Sequence, residues 1–302
     1  MQTERLWNRA RPVLVLLAIA AGGSLGCARA PSPLAPHLAG SIGMPHRGVL
    51  TKPAELPAAG AGYHFLRANE RHFATPRFVA AIERAAAKVA RERPGTTLTI
   101  GDLSARTGGH ISSHASHRTG RDADLLLYMT TLEGAPVTTT GFVHVGADGL
   151  AWDEGSDRFL RFDVEREWLL VKALVEDPEA RVQWLFASKP VKAMLVEWAR
   201  ARGESGDTIV RAMEAMQEPG PPAQSHDDHI HVRTACDAAE IAAGCEPTGP
   251  VRPWVAAADA PAQVAGPTTL ELVQSLILPL DAQGPLLAGS ETDANANAKI
   301  RD

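Results

Sequence analysis

The sequence predicts an α+β fold, a single domain on a small, mainly antiparallel β-sheet with flanking helices. Helical patterns of apolar residues alternate irregularly with short strand patterns, which is typical of this class and not of a regular βαβ repeat. A strand with the pattern His-x-His comes last among these elements. The stretch from Gly40 to Pro253 is long enough for one domain with a substantial hydrophobic interior.

Three segments are predicted to be helices because apolar residues recur along one face of each. The first begins at the N-cap Thr75 and ends at Pro94. The second runs from Asp163 to Glu176, and the third runs from Pro190 to Arg202. The side chains predicted to face the core are Phe78, Ile82, Val89, Val164, Trp168, Val171, Val175, Val191, Leu195 and Trp198.

Two stretches outside the histidine-rich segments, Thr96 to Ile100 and Val182 to Phe186, are predicted to be strands. A third predicted strand contains Asp122 and Asp124, which alternate with apolar residues. Gly120 is expected to provide the turn that leads into it.

The His-x-His segment also alternates, since Ile230 and Val232 separate its polar residues. Successive side chains of a strand point to opposite faces, so His229 and His231 share one face and the two aliphatic residues share the other. The histidine face of this strand can therefore contribute to a functional site, while the aliphatic face packs in the hydrophobic core.

Histidines are concentrated in two short segments, SHASHRTGRDAD (113–124) and HDDHIHVR (226–233). Six of the 11 histidines lie in or beside them: His110, His114, His117, His226, His229 and His231. A catalytic zinc ion typically takes three nitrogen or oxygen ligands from the protein and keeps one position for water. His117, Asp124 and His231 are the predicted ligands, on the open face of the sheet. The alternative is a surface polar run that binds metals adventitiously.

Two neutral imidazoles and one carboxylate leave the ion with a net positive charge, which favours ionisation of water and polarises a carbonyl. His229 shares a face with His231 and is the predicted general base. His226 is predicted to stabilise an oxyanion or to hold its neighbours. Asp122 is either a carboxylate that orients a ligating imidazole or a surface acid, and His110 faces solvent or the rim of a cleft.

The segments GDLSARTGGHISSHASHRTGRDADLLL and HDDHIHVR resemble the penicillin-insensitive murein endopeptidases. That family belongs to a wider group with the lysostaphin-type peptidases, the D-Ala-D-Ala carboxypeptidases and the hedgehog signalling domain. The resemblance extends from about Gly40 to Pro253, and includes SIGMPHRGVL and YHFLRANERHFATPRFV. The residues that match the pattern of the wider group are His117, Asp124, His229 and His231, and those that match the murein endopeptidase version are His114 and His226.

The resemblance implies a zinc endopeptidase that cuts D-Ala to meso-diaminopimelate cross-links in bacterial peptidoglycan. It also implies that His114 is a further ligand, in which case zinc becomes five-coordinate to keep a water. The family's second metal position, an Asp followed three residues later by His, is represented here by Asp148 and Ala151, which argues against a second ion. Asp228 departs from the small residue expected beside the base.

Two other functions are compatible with the same residues. One is a D,D- or L,D-carboxypeptidase that trims stem peptides, and the other is a non-catalytic lipoprotein that binds peptidoglycan. Retention of His229 with every ligand argues against the second. The net charge of -5 and pI of about 6.1, without a basic run or an aromatic ladder, predict that nucleic acid is not a partner.

The N-terminal residues 1–27 read as a signal peptide, with three arginines before an apolar run that is too short to span a membrane. Ser24 to Cys27 resembles a lipoprotein cleavage site in which the usual Leu is displaced by one position. Cleavage after Ala30 without lipid is the alternative. Both predict export to the periplasm, and lipid on Cys27 would anchor the protein to the outer membrane.

Residues 28–39 are predicted to form a Pro-rich tether, and residues 254–302 a low-complexity tail. Within the tail, the apolar stretch from Leu270 to Leu280 either docks as a helix or contacts a partner, and the last residues are expected to be disordered. Cys236 and Cys245 are expected to form a local disulfide, with two free thiols as the alternative. The connector Pro219 to Pro222 is expected to line the substrate groove.

Overall fold

A computed structural model describes residues 38–221, 223–250 and 252–256. The predicted signal peptide with Cys27, most of the tether and nearly all of the tail with its apolar stretch lie outside the described residues. In the described ranges, no helix has both the length and the apolar character needed to cross a membrane.

The described residues form mostly short elements around one larger sheet. In chain order they are β1 (Ser41–Met44), β2 (Arg47–Leu50), β3 (Ala54–Glu55), β4 (Ala59–Gly60), β5 (Tyr63–Phe65), β6 (Phe73–Ala74), α1 (Pro76–Glu92), β7 (Leu98–Ile100), β8 (Asp122–Leu126), β9 (Met129–Thr130), β10 (Pro136–Val137), β11 (Leu150–Asp153), β12 (Arg158–Phe162), α2 (Val164–Glu176), β13 (Val182–Phe186), α3 (Lys189–Ala201), α4 (Gly206–Ala215), β14 (Met216–Gln217), β15 (His229–Thr234), α5 (Ala238–Ala242) and α6 (Pro253–Ala256).

The central sheet has the strand order β14-β13-β15-β8-β7-β5-β4. Its pairs are antiparallel except for β13 with β14 and β5 with β7, so the predicted mainly antiparallel α+β fold is confirmed. The two histidine-rich segments supply neighbouring strands, β8 and β15. Their register pairs His231 with Asp124 and Arg233 with Asp122.

The predicted helices are present with small shifts at their ends. Thr75 is the N-cap of α1, while the side chains of Asp163 and Ser188 accept the main-chain N–H groups that begin α2 and α3. The strand β13 has the predicted bounds, whereas β7 begins at Leu98 instead of Thr96. Trp198 and Val164, which were predicted to face the core, pack against it but are only partly buried.

Two features of the fold do not follow from the sequence patterns. The helix α4 has only 10 residues, which is too short for a helical period to stand out from its neighbours. The hairpin of β11 and β12 exposes Trp152 and Phe159 on its outer face, which hides the usual alternation of apolar and polar residues.

The hydrophobic core lies between the helices and one face of the central sheet. Ile230 and Val232 belong to it together with Phe78 of α1 and Trp168 of α2, and all four are fully buried. The helix α1 packs on β5 and β6, while α2 contacts α1, α3 and α4. As predicted, His229 and His231 therefore lie on the opposite face of the sheet from the core.

A disulfide joins Cys236 to Cys245, as predicted, and closes the loop that contains α5. The loop is tied to the first hairpin because the N–H of Gly43 donates to the carbonyl of Gly244. The N–H of Ala39 donates to the carbonyl of Ala243, so the end of the expected tether contacts the domain. The segment after β15 is thus held against the N-terminal part of the domain.

Candidate metal and catalytic site

The loop before β8 brings His117 back over the sheet. His117 adopts a left-handed conformation with a φ of 63°, and Gly120 follows with a φ of 73°. A Cβ atom on Gly120 would come within 2.8 Å of the Leu50 side chain, so both the conformation and the space require glycine. The main-chain N–H of His117 donates to Oδ2 of Asp122 at 3.2 Å, which fixes the loop to the strand it enters.

Three of the predicted ligands meet at one carboxylate oxygen. Oδ1 of Asp124 lies 3.2 Å from Nε2 of His117 and 3.1 Å from Nδ1 of His231. Nε2 of His117 and Oδ1 of Asp124 are both buried, yet neither makes a hydrogen bond. Buried polar atoms without partners are costly, and a divalent cation that accepts these lone pairs is the group that fits them.

The second nitrogen of each of these imidazoles is held by an oxygen that can only accept. Nδ1 of His117 lies 3.1 Å from the carbonyl of Leu103, and Nε2 of His231 lies 2.9 Å from Oδ1 of Asp122. These nitrogens must therefore carry the proton, which leaves the nitrogens that face Asp124 with a free lone pair. Asp122 is fully buried, so the surface-acid alternative for this residue is wrong.

His114 repeats the same arrangement. Its Nε2 lies 2.9 Å from Oδ2 of Asp102, and its Nδ1 lies 3.6 Å from Oδ2 of Asp124. The ligand atoms of His114, His117 and Asp124 all fall within 4.8 Å of one another. His114 thus presents an unprotonated nitrogen beside the predicted ligands.

His229 lies beside the same carboxylate oxygen, with its Nε2 3.5 Å from Oδ1 of Asp124. Its Nδ1 lies 2.6 Å from Oδ1 of Asp228. The acidic residue that replaces the small residue expected in the family therefore contacts the predicted base. Burial disfavours the charged ring, but the nearby carboxylates of Asp124 and Asp228 outweigh it and raise the pKa of His229 to about 9. A cation bound by Asp124 opposes this rise.

His226 lies on the other side of His229, also in a left-handed conformation with a φ of 55°. Its Nδ1 donates to the carbonyl of Gln224 at 2.7 Å, and its ring packs against those of Phe186 and His229. Burial and the neighbouring imidazoles lower the pKa of His226 to about 4. The neutral ring therefore offers a lone pair at Nε2, not the N–H that an oxyanion requires. These contacts favour the role of holding its neighbours.

An open cleft of about 810 Å³ is lined by His114, His226, His229 and His231, whereas His117 is fully buried. Pro219, Ala223 and Gln224 line the cleft, so the connector between β14 and β15 forms part of a wall as predicted, although Pro222 lies outside the described residues. His110 is exposed and does not line the cleft, which leaves the solvent-facing alternative for this residue.

The second metal position of the family has no ligand pair here. The carboxylate of Asp148 accepts the main-chain N–H of Leu150 at 3.0 Å within a turn, and Ala151 is buried and has no ligand atom. A separate group of His144, Asp227 and Asp228 lies at the edge of the cleft, where Nδ1 of His144 contacts Asp227 at 2.7 Å. His144 is largely exposed.

Several cleft residues were not identified from the sequence. Asp102 follows β7 after Gly101, and a carboxylate two residues past a buried strand is a signal that could have found it. Arg67, Phe142 and Phe186 carry no comparable signal, because they lie far from both histidine segments and reach the cleft only through the sheet order.

Comparisons with known proteins point to one family. The sequence profile of the family described as penicillin-insensitive murein endopeptidase matches residues 41–254. A penicillin-insensitive murein endopeptidase of Haemophilus influenzae is 28% identical over 228 residues, which cover 73% of this chain and 71% of the relative. Proteins of the same name from Klebsiella pneumoniae strain 342 and Escherichia coli K12 are 28% and 27% identical, over 70% and 71% of this chain and 72% and 73% of theirs.

Proposed function

Because this chain belongs to the penicillin-insensitive murein endopeptidase family, we propose that it is an exported zinc endopeptidase that hydrolyses D-Ala to meso-diaminopimelate cross-links in peptidoglycan. One observation supports it most strongly. Buried Oδ1 of Asp124 and Nε2 of His117 have no hydrogen-bond partner, and Nδ1 of His231 points to the same oxygen. This donor set is the one that hydrolytic zinc sites use.

The proposed ligands are His117, Asp124 and His231, with His114 as a fourth. When bound there, zinc lowers the pKa of a water molecule and polarises the scissile carbonyl. Asp102 and Asp122 orient two of the imidazoles by accepting their outer N–H groups. The site proposed here holds one ion, since Asp148 and Ala151 offer no second ligand pair.

His229 is the proposed general base. Its Nδ1 is committed to Asp228, so the neutral ring keeps the lone pair on Nε2, the atom nearest Asp124. Nε2 takes a proton from the attacking water and returns it to the leaving amine. His226 packs against the base and holds it in place. No serine or cysteine nucleophile takes part in this scheme, so β-lactams, which acylate serine enzymes, are not expected to inhibit hydrolysis.

Location and anchoring are proposals that rest on the sequence and on the nature of peptidoglycan as a substrate. We place the metallopeptidase domain at residues 40–253, behind a signal peptide at residues 1–27 and a tether at residues 28–39, with a low-complexity tail at residues 254–302. The protein is periplasmic in this scheme, and a lipid on Cys27 would anchor it to the outer membrane.

Digestion of purified sacculi, followed by mass analysis of the products, tests the function, the metal and the bond together. The expected result is conversion of cross-linked dimers to monomers, lost with a chelator and restored by zinc. An Asp124→Asn variant serves as the inactive control, since it removes the carboxylate shared by the ligands. Release of D-Ala from free stem peptides without loss of cross-links would indicate a carboxypeptidase, and binding without turnover would indicate a non-catalytic protein.

A further inference from the structure

Three arginines line the cleft, and two of them are neutralised within the protein. Nη1 of Arg71 lies 2.8 Å from Oδ2 of Asp102, and Nε of Arg233 lies 2.6 Å from Oδ1 of Asp122. Both of these carboxylates are buried. In the part of the chain that the structure describes, no carboxylate lies within ion-pairing distance of Arg67, which lines the same cleft and is exposed.

Arg67 is held beside the proposed base by an aromatic ring. Its guanidinium lies 5.7 Å from the ring centroid of Phe142, within the range of a cation–π interaction. Phe142 in turn packs edge-on against His229, with ring centroids 5.4 Å apart. A Cβ atom on Gly101 would come within 3.1 Å of the Phe142 ring, so glycine leaves the space in which that ring sits over the sheet. These contacts place Arg67 on the His229 side of the cleft.

The residue of the substrate that lies on this side follows from the proton transfer. Since His229 returns a proton to the leaving amine, the amine-side residue of the scissile bond lies next to His229. In a D-Ala to meso-diaminopimelate cross-link, the carbon that bears the leaving nitrogen also bears a free carboxylate. A guanidinium binds a carboxylate through two parallel N–H donors, which gives both charge and geometric selectivity.

We propose that Arg67 binds the carboxylate on the carbon that bears the scissile nitrogen and so selects substrates that carry this negative charge. The inference rests on the proposed function, which defines the amine-side residue. It predicts that amidation of that carboxylate makes a cross-link a poor substrate. The terminal D-Ala of a stem pentapeptide carries a carboxylate at the same position, so Arg67 selects by this group and not by the length of the leaving fragment.

The test compares cross-linked muropeptide dimers whose amine-side diaminopimelate carboxylate is either free or amidated. Arg67→Ala should lower kcat/KM for the free form by about tenfold to a hundredfold, mainly through KM, and should leave the amidated form unchanged. Arg67→Lys should retain part of the wild-type kcat/KM for the free form, because lysine keeps the positive charge. It should not reach the wild-type value, because lysine lacks the two parallel N–H donors. An equal loss on both substrates, or a wild-type protein that does not distinguish them, would overturn the proposal.

Arg106→Ala is the matched control. The guanidinium of Arg106 also lies over a phenylalanine ring, 4.5 Å from the centroid of Phe73, but Arg106 does not line the cleft. This variant should leave kcat/KM unchanged on both dimers. Circular dichroism of each variant checks that the fold is retained.

A binding measurement tests the Arg67 contact independently of the proposed endopeptidase activity. Calorimetry with the zinc-loaded protein gives the affinity for the amine-side product, a stem peptide with its diaminopimelate carboxylate free or amidated. If the wild type binds the free form more tightly than the amidated form, and Arg67→Ala loses this preference, the carboxylate contact is supported. This holds even if no cross-link is cut, because absence of turnover would reject only the proposed endopeptidase activity. Equal affinities in the wild type and Arg67→Ala would reject the contact even if turnover is observed.

Discussion

Oδ1 of Asp122 lies 2.9 Å from Nε2 of His231, although the two residues are 109 positions apart in the chain. The same carboxylate accepts the main-chain N–H of His117 and the Nε–H of Arg233. Burial opposes the charge of Asp122, but Arg233 and His231 outweigh it and hold the pKa of its carboxyl well below the usual range. One buried anion therefore fixes both the loop that carries one proposed ligand and the tautomer of another.

Asp122→Asn should weaken zinc binding by about tenfold to a hundredfold, because an amide does not force the proton of His231 onto Nε2. Competition with a chromophoric chelator gives the affinity. Asp148→Asn, which changes an exposed carboxylate at the family's second metal position, should have no effect and is the control. Unchanged affinity in Asp122→Asn would show that this carboxylate does not orient the ligand.

His229→Ala should lower the rate of cross-link hydrolysis by about a hundredfold to ten-thousandfold while the protein still binds one equivalent of zinc. The reason is that the ring supplies proton transfer, whereas its Nδ1 is bonded to Asp228. Metal analysis and digestion assays on the same samples check both quantities. His231→Ala is the comparison, since it should lose zinc and activity together, and full activity in His229→Ala would refute the assigned base.

Glu167 gives the stability of this protein a dependence on pH. Its side chain is fully buried in α2, where Oε2 accepts the N–H of Tyr128, and burial raises its pKa from 4.5 to about 8. Between these two pH values the unfolded chain loses the proton of this carboxyl while the folded protein retains it. The contribution of Glu167 to the free energy of unfolding is thus present below pH 4.5 and is lost as the pH rises towards 8.

Glu167→Gln should accordingly flatten the fall in stability across this range, because the amide is neutral at every pH. Urea denaturation at fixed saturating zinc, repeated from pH 5 to pH 8 for both proteins, gives the two slopes. Parallel slopes would show that Glu167 is ionised in the folded protein.

Replacement of Cys236 and Cys245 together by alanine should lower the free energy of unfolding by about 2 to 3 kcal/mol, since the short loop is no longer closed in the unfolded chain. Denaturation with and without a reductant measures this effect. The reductant should destabilise the wild type by a similar amount and leave the variant unchanged. Because Cys27 is then the one cysteine left in the sequence, an equal effect of the reductant on the variant would show that the destabilisation does not come from the Cys236–Cys245 bond.

Local spacing alone predicted the faces of the site. In a strand the side-chain period is two, so the sequence was sufficient to place His229 and His231 on one face and Ile230 and Val232 on the other. The helix starts at Thr75 and Asp163 and the disulfide followed equally from nearby residues, because caps and short loops depend on local chain geometry.

The tertiary structure decided which distant side chains share the cleft. The pairing of β8 with β15 brings Asp122 to His231, 109 positions further along the chain, and the loop with Phe142 places that ring between Arg67 and His229. No spacing rule relates residues so far apart, because their approach depends on strand pairing and on packing across the sheet. The sequence therefore determined the chemical groups and the faces they occupy, whereas the folded sheet decided which nitrogen of each imidazole is free.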